Sequence, residues 1–179
     1  KYEPDMTTDL IDQLFGELKA TIVPLVKAIE AAPNKPDTSV LFKHFPKAGQ
    51  HAASLELLTQ LGYDFEAGRL DETVHPFMIS LNSGDIRVTT KYDESDFRSA
   101  VFGTIHECGH ALYEQNIDPT LNGLPLSTGA SMGIHESQSL FYENMVGRNE
   151  NFWKHNFTIL QKHSPAQFGD VAVEDFLKA

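Results

Sequence analysis

Between residues 106 and 110 the chain reads His-Glu-Cys-Gly-His, and this pentad constrains the fold more than any other stretch. Histidines four residues apart share one face of an α-helix, with Cβ atoms roughly 6 Å apart. From that face both imidazoles, His106 and His110, can reach one ion at about 2.0–2.1 Å. Glu107 adjoins the first histidine and points to the side of such an ion. A carboxylate there can take a proton from activated water and hand it to a leaving amine, the work of a general base. The flanking residues agree with a helix from about Ser95 to Gln115. Phe97, Val101, Ile105, Leu112 and Tyr113 keep helical spacing, and Asp93, Ser95 and Asp96 supply capping candidates. Gly109 is informative, because glycine costs about 1 kcal/mol inside a helix. Close approach of a neighbouring element is a reason for it; a pair of solvated histidines beside a surface glutamate gives none. Cys108 faces away from His106 and reads as a packed thiol.

A zinc hydrolase uses three protein ligands and keeps a fourth position open. The downstream candidates are Glu114, Asp118, His135, Glu136, Glu143 and His155. Glu114, one turn further along the same helix, is too far from the ion to close a tetrahedron, and Asp118 lies too near the helix end to fold back. A loop over Ile117–Thr128, marked by Pro119, Gly123 and Pro125, leads to a second helix from about Ser131 to Val146, stopped by Gly147. The loop is long enough to bring that helix antiparallel across the first. Spacing favours this helix as the source of the third ligand and leaves Glu136, His135 and Glu143 undecided.

The rest of the chain reads as mostly helical scaffold. Apolar residues from Leu10 to Ile29 predict an amphipathic helix over about Thr8–Ala32, capped by Thr8 or Asp9 and kinked at Pro24. Another helix is expected from Pro46 to Leu61 with Gly62 at its C-terminal end. Ile86–Tyr92 is rich in β-branched residues and is the one strand predicted. A last helix begins near Asn151 and carries the sole tryptophan, Trp153. An acidic excess of 25 Asp and Glu over 14 Lys and Arg argues against nucleic acid and against an anionic membrane surface. With one cysteine, no intrachain disulfide can form, which fits a reduced, cytoplasmic setting. There is no initiator Met at position 1, and the chain is expected to be a piece of something longer.

Four segments occur in an order that resembles the M32 family of metallocarboxypeptidases, the thermostable-carboxypeptidase type. They are His75-Pro76-Phe77, then Asp85-Ile86-Arg87-Val88-Thr89, then His106 to His110, then His135-Glu136-Ser137-Gln138. Thr90-Lys91-Tyr92-Asp93-Glu94 and Trp153 after Asn151-Phe152 are similar to the family as well. The likeness implies that Glu136 is the third metal ligand and that the Asp-x-Arg-x-Thr segment, with Arg87 and Thr89, contacts substrate. That segment is expected to be an edge strand beside the metal helix, free to pair with an extended peptide. His75 and His135 are further substrate-side candidates, and His135 is also a candidate hydrogen-bond partner of a ligand. Asp85 is expected either to orient Arg87 or to cap the strand.

The resemblance further implies one divalent ion, zinc before cobalt, and removal of single C-terminal residues from peptides. It implies a homodimeric full-length protein with a mainly α fold, a helical metallopeptidase core with a small β element beside the pentad helix. Family members are considerably longer, and nothing in 156–179 matches their later arginine-containing or Gly-x-x-Gln-Asp-x-His-Trp segments. The chain, 1–179, is therefore expected to be one fragment of a larger catalytic domain, with helical scaffold over 1–65 and metal and substrate site over 75–150. The competing expectations are a truncated, inactive peptide-binding or partner-binding fragment, and an endo- or oligopeptidase.

Overall fold

A computed structural model describes residues 4–179 of the chain. They divide after Asp37 into two compact units. The first holds one helix, α1 (Thr8–Ala31), with no buried residue. Its cap lies one position earlier than expected: the Thr7 hydroxyl accepts from the Leu10 amide at 3.2 Å. The helix continues through Pro24 rather than ending there. Its apolar stripe, including Leu14, Phe15, Leu18 and Ile29, is exposed.

The second unit is built around the pentad helix. Its elements are α2 (Lys47–Leu61), β1 (Leu70–Glu72), β2 (Phe77–Asn82), β3 (Asp85–Thr90), α3 (Phe97–Gln115), α4 (Met132–Leu140) and α5 (Glu150–His163). Two single turns follow, at Pro165–Phe168 and Val173–Phe176. The helix expected to start near Ser131 is there, with Ser131 as its cap, but beyond Leu140 it widens into a π-helical segment, Phe141–Gly147. Gly62 closes α2 in the left-handed region at φ 92°, which a residue without Cβ adopts freely.

Helix α3 is buried on two sides because its apolar residues fall into two sets. Phe97, Val101 and Ile105 join Leu57, Trp153, Phe157 and Phe168 in one cluster between α2 and α5. Cys108, Ala111 and Leu112 join Leu58, Tyr63, Ile86 and Val88 in another under the sheet. Removing most of a helix surface from water at about 25 cal/mol per Å² of apolar area gives α3 a fixed position, against which the other elements are set. The Tyr63 hydroxyl helps hold the sheet in place by donating to the Ile86 carbonyl at 2.5 Å.

The sheet corrects one expectation. Its order is β1-β3-β2, so β3, which carries Asp85, Arg87 and Thr89, lies in the middle and not at an edge. It runs parallel to β1 with Leu70 opposite Val88, and antiparallel to β2 with Phe77 opposite Thr89. Ladder bonds to β2 along its length and to β1 over Val88–Thr90 occupy its backbone, so it is not an edge free to pair with an incoming peptide. The edge strands are β1 and β2, and β2 is the one that borders the metal helix's cleft. Its run Phe-Met-Ile-Ser-Leu-Asn lacks clean alternation, but the Ser83-Gly84 turn before β3 is a signal that a hairpin precedes it. No helix among the described residues is long and apolar enough to cross a membrane.

Asp96 starts α3 by accepting from the Arg98 amide at 3.1 Å and from the Arg98 guanidinium at 2.8 and 2.7 Å. The hydrogen bond from Arg98 holds its carboxyl below the usual aspartate value. A carboxyl so depressed contributes stability that is present above the unfolded value and lost as pH falls through the folded one. Asp96→Ala is expected to lower unfolding free energy by about 1 kcal/mol at neutral pH. In urea titrations the gap between variant and wild type should narrow as pH falls below the ordinary aspartate value and close once it has passed through the depressed folded one, where both carry a neutral side chain at this cap.

Candidate metal centre

His106 and His110 stand one turn apart on α3, ring centroids 5.1 Å from each other. Helix α4 crosses directly over them, and Gly109 is what admits it. A Cβ built at 109 would lie 2.7 Å from Ser139 Cα and 2.8 Å from the Gln138 carbonyl oxygen. The close approach that a glycine in this helix implied is thus an approach of backbone to backbone. It brings Glu136 over the two imidazoles, with its Oε2 3.6 Å from His106 Nε2 and 3.8 Å from His110 Nε2. Ser139 Oγ sits 3.1 Å from the same carboxylate oxygen and steadies it.

Among the described residues, His106, His110 and Glu136 are the group whose donor atoms lie within 4.8 Å of one another. Bonds of about 2.0–2.1 Å in a tetrahedron put ligand atoms roughly 3.3 Å apart. The observed separations come close to that edge, and the Glu136 side chain, 46 % exposed, is free to close the difference. Two imidazole nitrogens and one carboxylate oxygen are a donor set that suits zinc.

These side chains floor an open cleft of about 530 Å³, together with Glu107 and Gly103. One wall is the chain from His75 to Met78; the other carries Met132 and His135. Glu107 is buried, and burial raises its carboxyl above the usual glutamate value. Neighbouring His106 and the backbone of Met78 oppose that rise. Burial also pushes the His110 imidazolium down, favouring the neutral ring that a metal requires. A larger cavity of about 830 Å³, between Tyr113, Leu126 and Tyr142, contains none of these groups.

The ring nitrogens turned away from the cleft are also engaged. His106 Nδ1 lies 3.0 Å from Glu143 Oε2, and Glu143 takes an Arg148 hydrogen bond at 2.8 Å. Burial alone raises the Glu143 carboxyl, but the hydrogen bonds from Arg148 and His106 outweigh it and hold the group below its usual value. His110 Nδ1 lies 2.7 Å from His135 Nδ1, and His135 Nε2 lies 2.9 Å from Glu114 Oε1.

The remaining sequence candidates separate. His75 lines the cleft. His135 reaches its wall, but both of its ring nitrogens already have partners in the protein. Thr89 is buried, accepts from the Phe77 amide at 2.9 Å and lies 3.1 Å from Thr73 Oγ1, so it staples β2 to β3. Arg87 is held by Asp85 in a bidentate pair at 2.7 and 2.8 Å and does not line the cleft. Of the two roles open to Asp85, orienting Arg87 is the one observed. Cys108 is fully buried among apolar side chains, which pushes its thiol up to about 12. Glu143 and Glu114, weighed in sequence only as ligands, turn out to be partners of the histidines. The signal was their spacing: Glu143 lies seven residues after Glu136 and Glu114 four after His110, each on the same helical face as the earlier residue.

Comparison with known proteins bears on the whole chain. The family model described as carboxypeptidase Taq (M32) metallopeptidase matches residues 1–179. The chain is 62% identical over 178 residues to carboxypeptidase 1 of Bacillus subtilis (strain 168), covering 99% of this chain and 36% of that one. It is 46% identical over 175 residues to thermostable carboxypeptidase 1 of Thermus thermophilus, covering 98% and 34%. Among solved structures, the crystal structure of M32 carboxypeptidase from Deinococcus radiodurans R1 superposes with a TM-score of 0.92 at 42% identity, covering 99% of this chain and 35% of that one. The Pyrococcus furiosus carboxypeptidase structure superposes at 0.86 and 32% identity, covering 98% and 36%. The chain spans about a third of the length of the curated relatives it matches.

Gly109→Ala tests the crossing. Alanine is the better helix former by about 1 kcal/mol, whereas overpacking a close contact costs about 1–3 kcal/mol, so the variant is expected to be less stable on balance. Because the relief must come from α4 moving off α3, zinc affinity should fall about tenfold or more, measured by competition with a chromophoric chelator.

Proposed function

Because the chain belongs to the carboxypeptidase Taq (M32) metallopeptidase family, we propose that it supplies the metal-binding part of a peptidase that removes single residues from peptide C-termini. In this reading His106, His110 and Glu136 hold one divalent ion, zinc by donor set with cobalt as the alternative, and Glu107 is the general base. The observation that carries it is the convergence of three donor atoms within 4.8 Å at the floor of a cleft that also holds a buried glutamate.

When bound, the ion supplies a Lewis acid for the scissile carbonyl and acidifies a water molecule. Glu107 takes a proton from that water as its oxygen bonds to the carbonyl carbon, and returns it to the amine nitrogen as the C–N bond breaks. Burial suits the carboxyl to both halves of that cycle, because a raised proton affinity helps it accept the proton it later releases. The outer edge of β2 borders the cleft through Phe77 and Met78, and β2 is paired only with β3. Its free backbone groups are suited to align an extended peptide over the floor, with His75 at the start of that wall. Arg87 and Thr89 act on substrate indirectly in this reading, by holding the sheet that presents β2. The names of the relatives favour a carboxypeptidase over an endopeptidase. The family likeness also carries the homodimer, as a property of the full-length protein. A cytoplasmic setting accords with the single buried thiol.

The test is made on the full-length protein. Wild type is expected to hold one zinc per chain and to release the last residue of an N-blocked dipeptide or tripeptide. Glu136→Gln should lose metal. Glu107→Gln should keep it while kcat falls by about 10²–10⁴-fold. Equal cleavage of a peptide amidated at its C-terminus would count against a carboxypeptidase and for an endopeptidase.

A further inference from the structure

A neutral imidazole carries one N–H and one lone pair, so whichever group touches one nitrogen decides whether the other can bind a metal. For His106 the decision is local. Its Nδ1 lies 3.0 Å from a carboxylate oxygen of Glu143, which can only accept, so the proton sits on Nδ1 and the Nε2 lone pair faces the cleft. For His110 it is not local, because the partner of its Nδ1 is another imidazole nitrogen, His135 Nδ1, at 2.7 Å. One of the two rings must donate. If His135 donated, the proton of His110 would be driven onto Nε2, the atom nearest Glu136, and the ring could not bind a metal.

The ambiguity is removed on the far side of His135. Its Nε2 lies 2.9 Å from Glu114 Oε1, and that oxygen also accepts from the Gly129 amide at 2.9 Å. Glu114 is 5 % exposed, and its Oε1 is an acceptor toward an amide that can only donate. His135 therefore keeps its proton on Nε2, offers a lone pair at Nδ1, and takes the Nδ1–H of His110. Gly129 completes the arrangement in a second way. A Cβ there would stand 2.4 Å from His135 Cδ2 and 3.0 Å from His135 Nε2, so the ring fits against Glu114 only because residue 129 has no side chain. Tyr113 packs against the same ring at 4.9 Å between centroids.

We propose that Glu114, acting through His135, sets the tautomer of His110 and so prepares a metal site that it does not touch. His135 is then a positioning residue and not a substrate contact, since neither ring nitrogen is left for a ligand. Glu143 does the same for His106 directly, so each histidine is set by its own carboxylate. The inference rests on His106, His110 and Glu136 being the metal ligands.

The experiment measures the zinc dissociation constant of the full-length protein by chelator competition, with circular dichroism and thermal melting to confirm folding. Wild type should bind one zinc per chain and His106→Ala should not; failure of this first step would overturn the ligand assignment itself. Given that step, Glu114→Leu and His135→Phe are each expected to weaken zinc binding by about 10–100-fold. The double variant should be no weaker than the more affected single one, because both break one chain of hydrogen bonds. His135→Gln should recover most of the affinity, since its side-chain carbonyl can accept from His110 Nδ1. A folded Glu114→Leu protein with wild-type affinity, or losses that add in the double variant, would overturn the proposal while leaving the metal site standing. A readout independent of variants is the nitrogen spectrum of ¹⁵N-ring-labelled histidine in the metal-free wild type. His110 should carry its proton on Nδ1, and a proton on Nε2 would equally overturn the relay.

Discussion

The contact of α4 with α3 at Gly109 is the constraint on which the centre depends. Two helices with ordinary side chains at their crossing stand 8–10 Å apart, and a side chain at 109 would push α4 outward and carry Glu136 with it. Here the backbone of Gln138 and Ser139 lies where a Cβ of residue 109 would be. Glu136 is thereby set within 3.8 Å of both Nε2 atoms. The position of α3 itself is not adjustable, because its two apolar faces are locked into separate clusters. The site is the place where a fixed helix meets one that can come unusually near.

The polar side chains on α3 follow from the same geometry. A helix buried this extensively carries His110 and Glu114 into a low-dielectric setting, where an unpartnered polar group costs about 1–3 kcal/mol. Each is satisfied by the segment that arrives with α4: His110 by His135, and Glu114 by His135 and Gly129. At the other end, the π-helical segment adds an extra residue to its turn, and Glu143 on it meets His106 while Arg148 closes the ion pair. π-turns recur at functional sites because they redirect side chains that α-geometry would place elsewhere. The Gly147 carbonyl that ends the segment takes the Trp153 indole N–H at 2.7 Å, tying the turn into the core under α5. Packing, hydrogen bonding and placement of the candidate ligands are therefore one structure.

Much of this was legible in the order of residues, and the misses have a common cause. Helices α2, α3 and the start of α5 were readable because a 3.6-residue period and a cap are local signals, correct to within a residue or two. The buried side of Cys108 was readable for the same reason. β3 was found from its β-branched run, but its place in the middle of the sheet was not, since its partners in β1 lie 18 residues away and leave no mark within the strand. His135 was readable as a hydrogen-bond partner of a ligand, but which ligand it meets, and that Glu114 and Glu143 stand behind the rings, depends on which atom of a distant side chain each one meets.

The sequence by itself determined that two imidazoles would share one helical face with a glutamate to its side, that a glycine would sit among them, and that a second helix with its own acidic and histidine residues would follow. Those are consequences of backbone geometry over four or five residues. Only the tertiary structure decided which carboxylate faces the open nitrogens, which ones stand behind the rings, and which edge strand borders the cleft. The physical reason is that hydrogen bonds and ligand sets form over about 3 Å, a distance set by how whole elements pack.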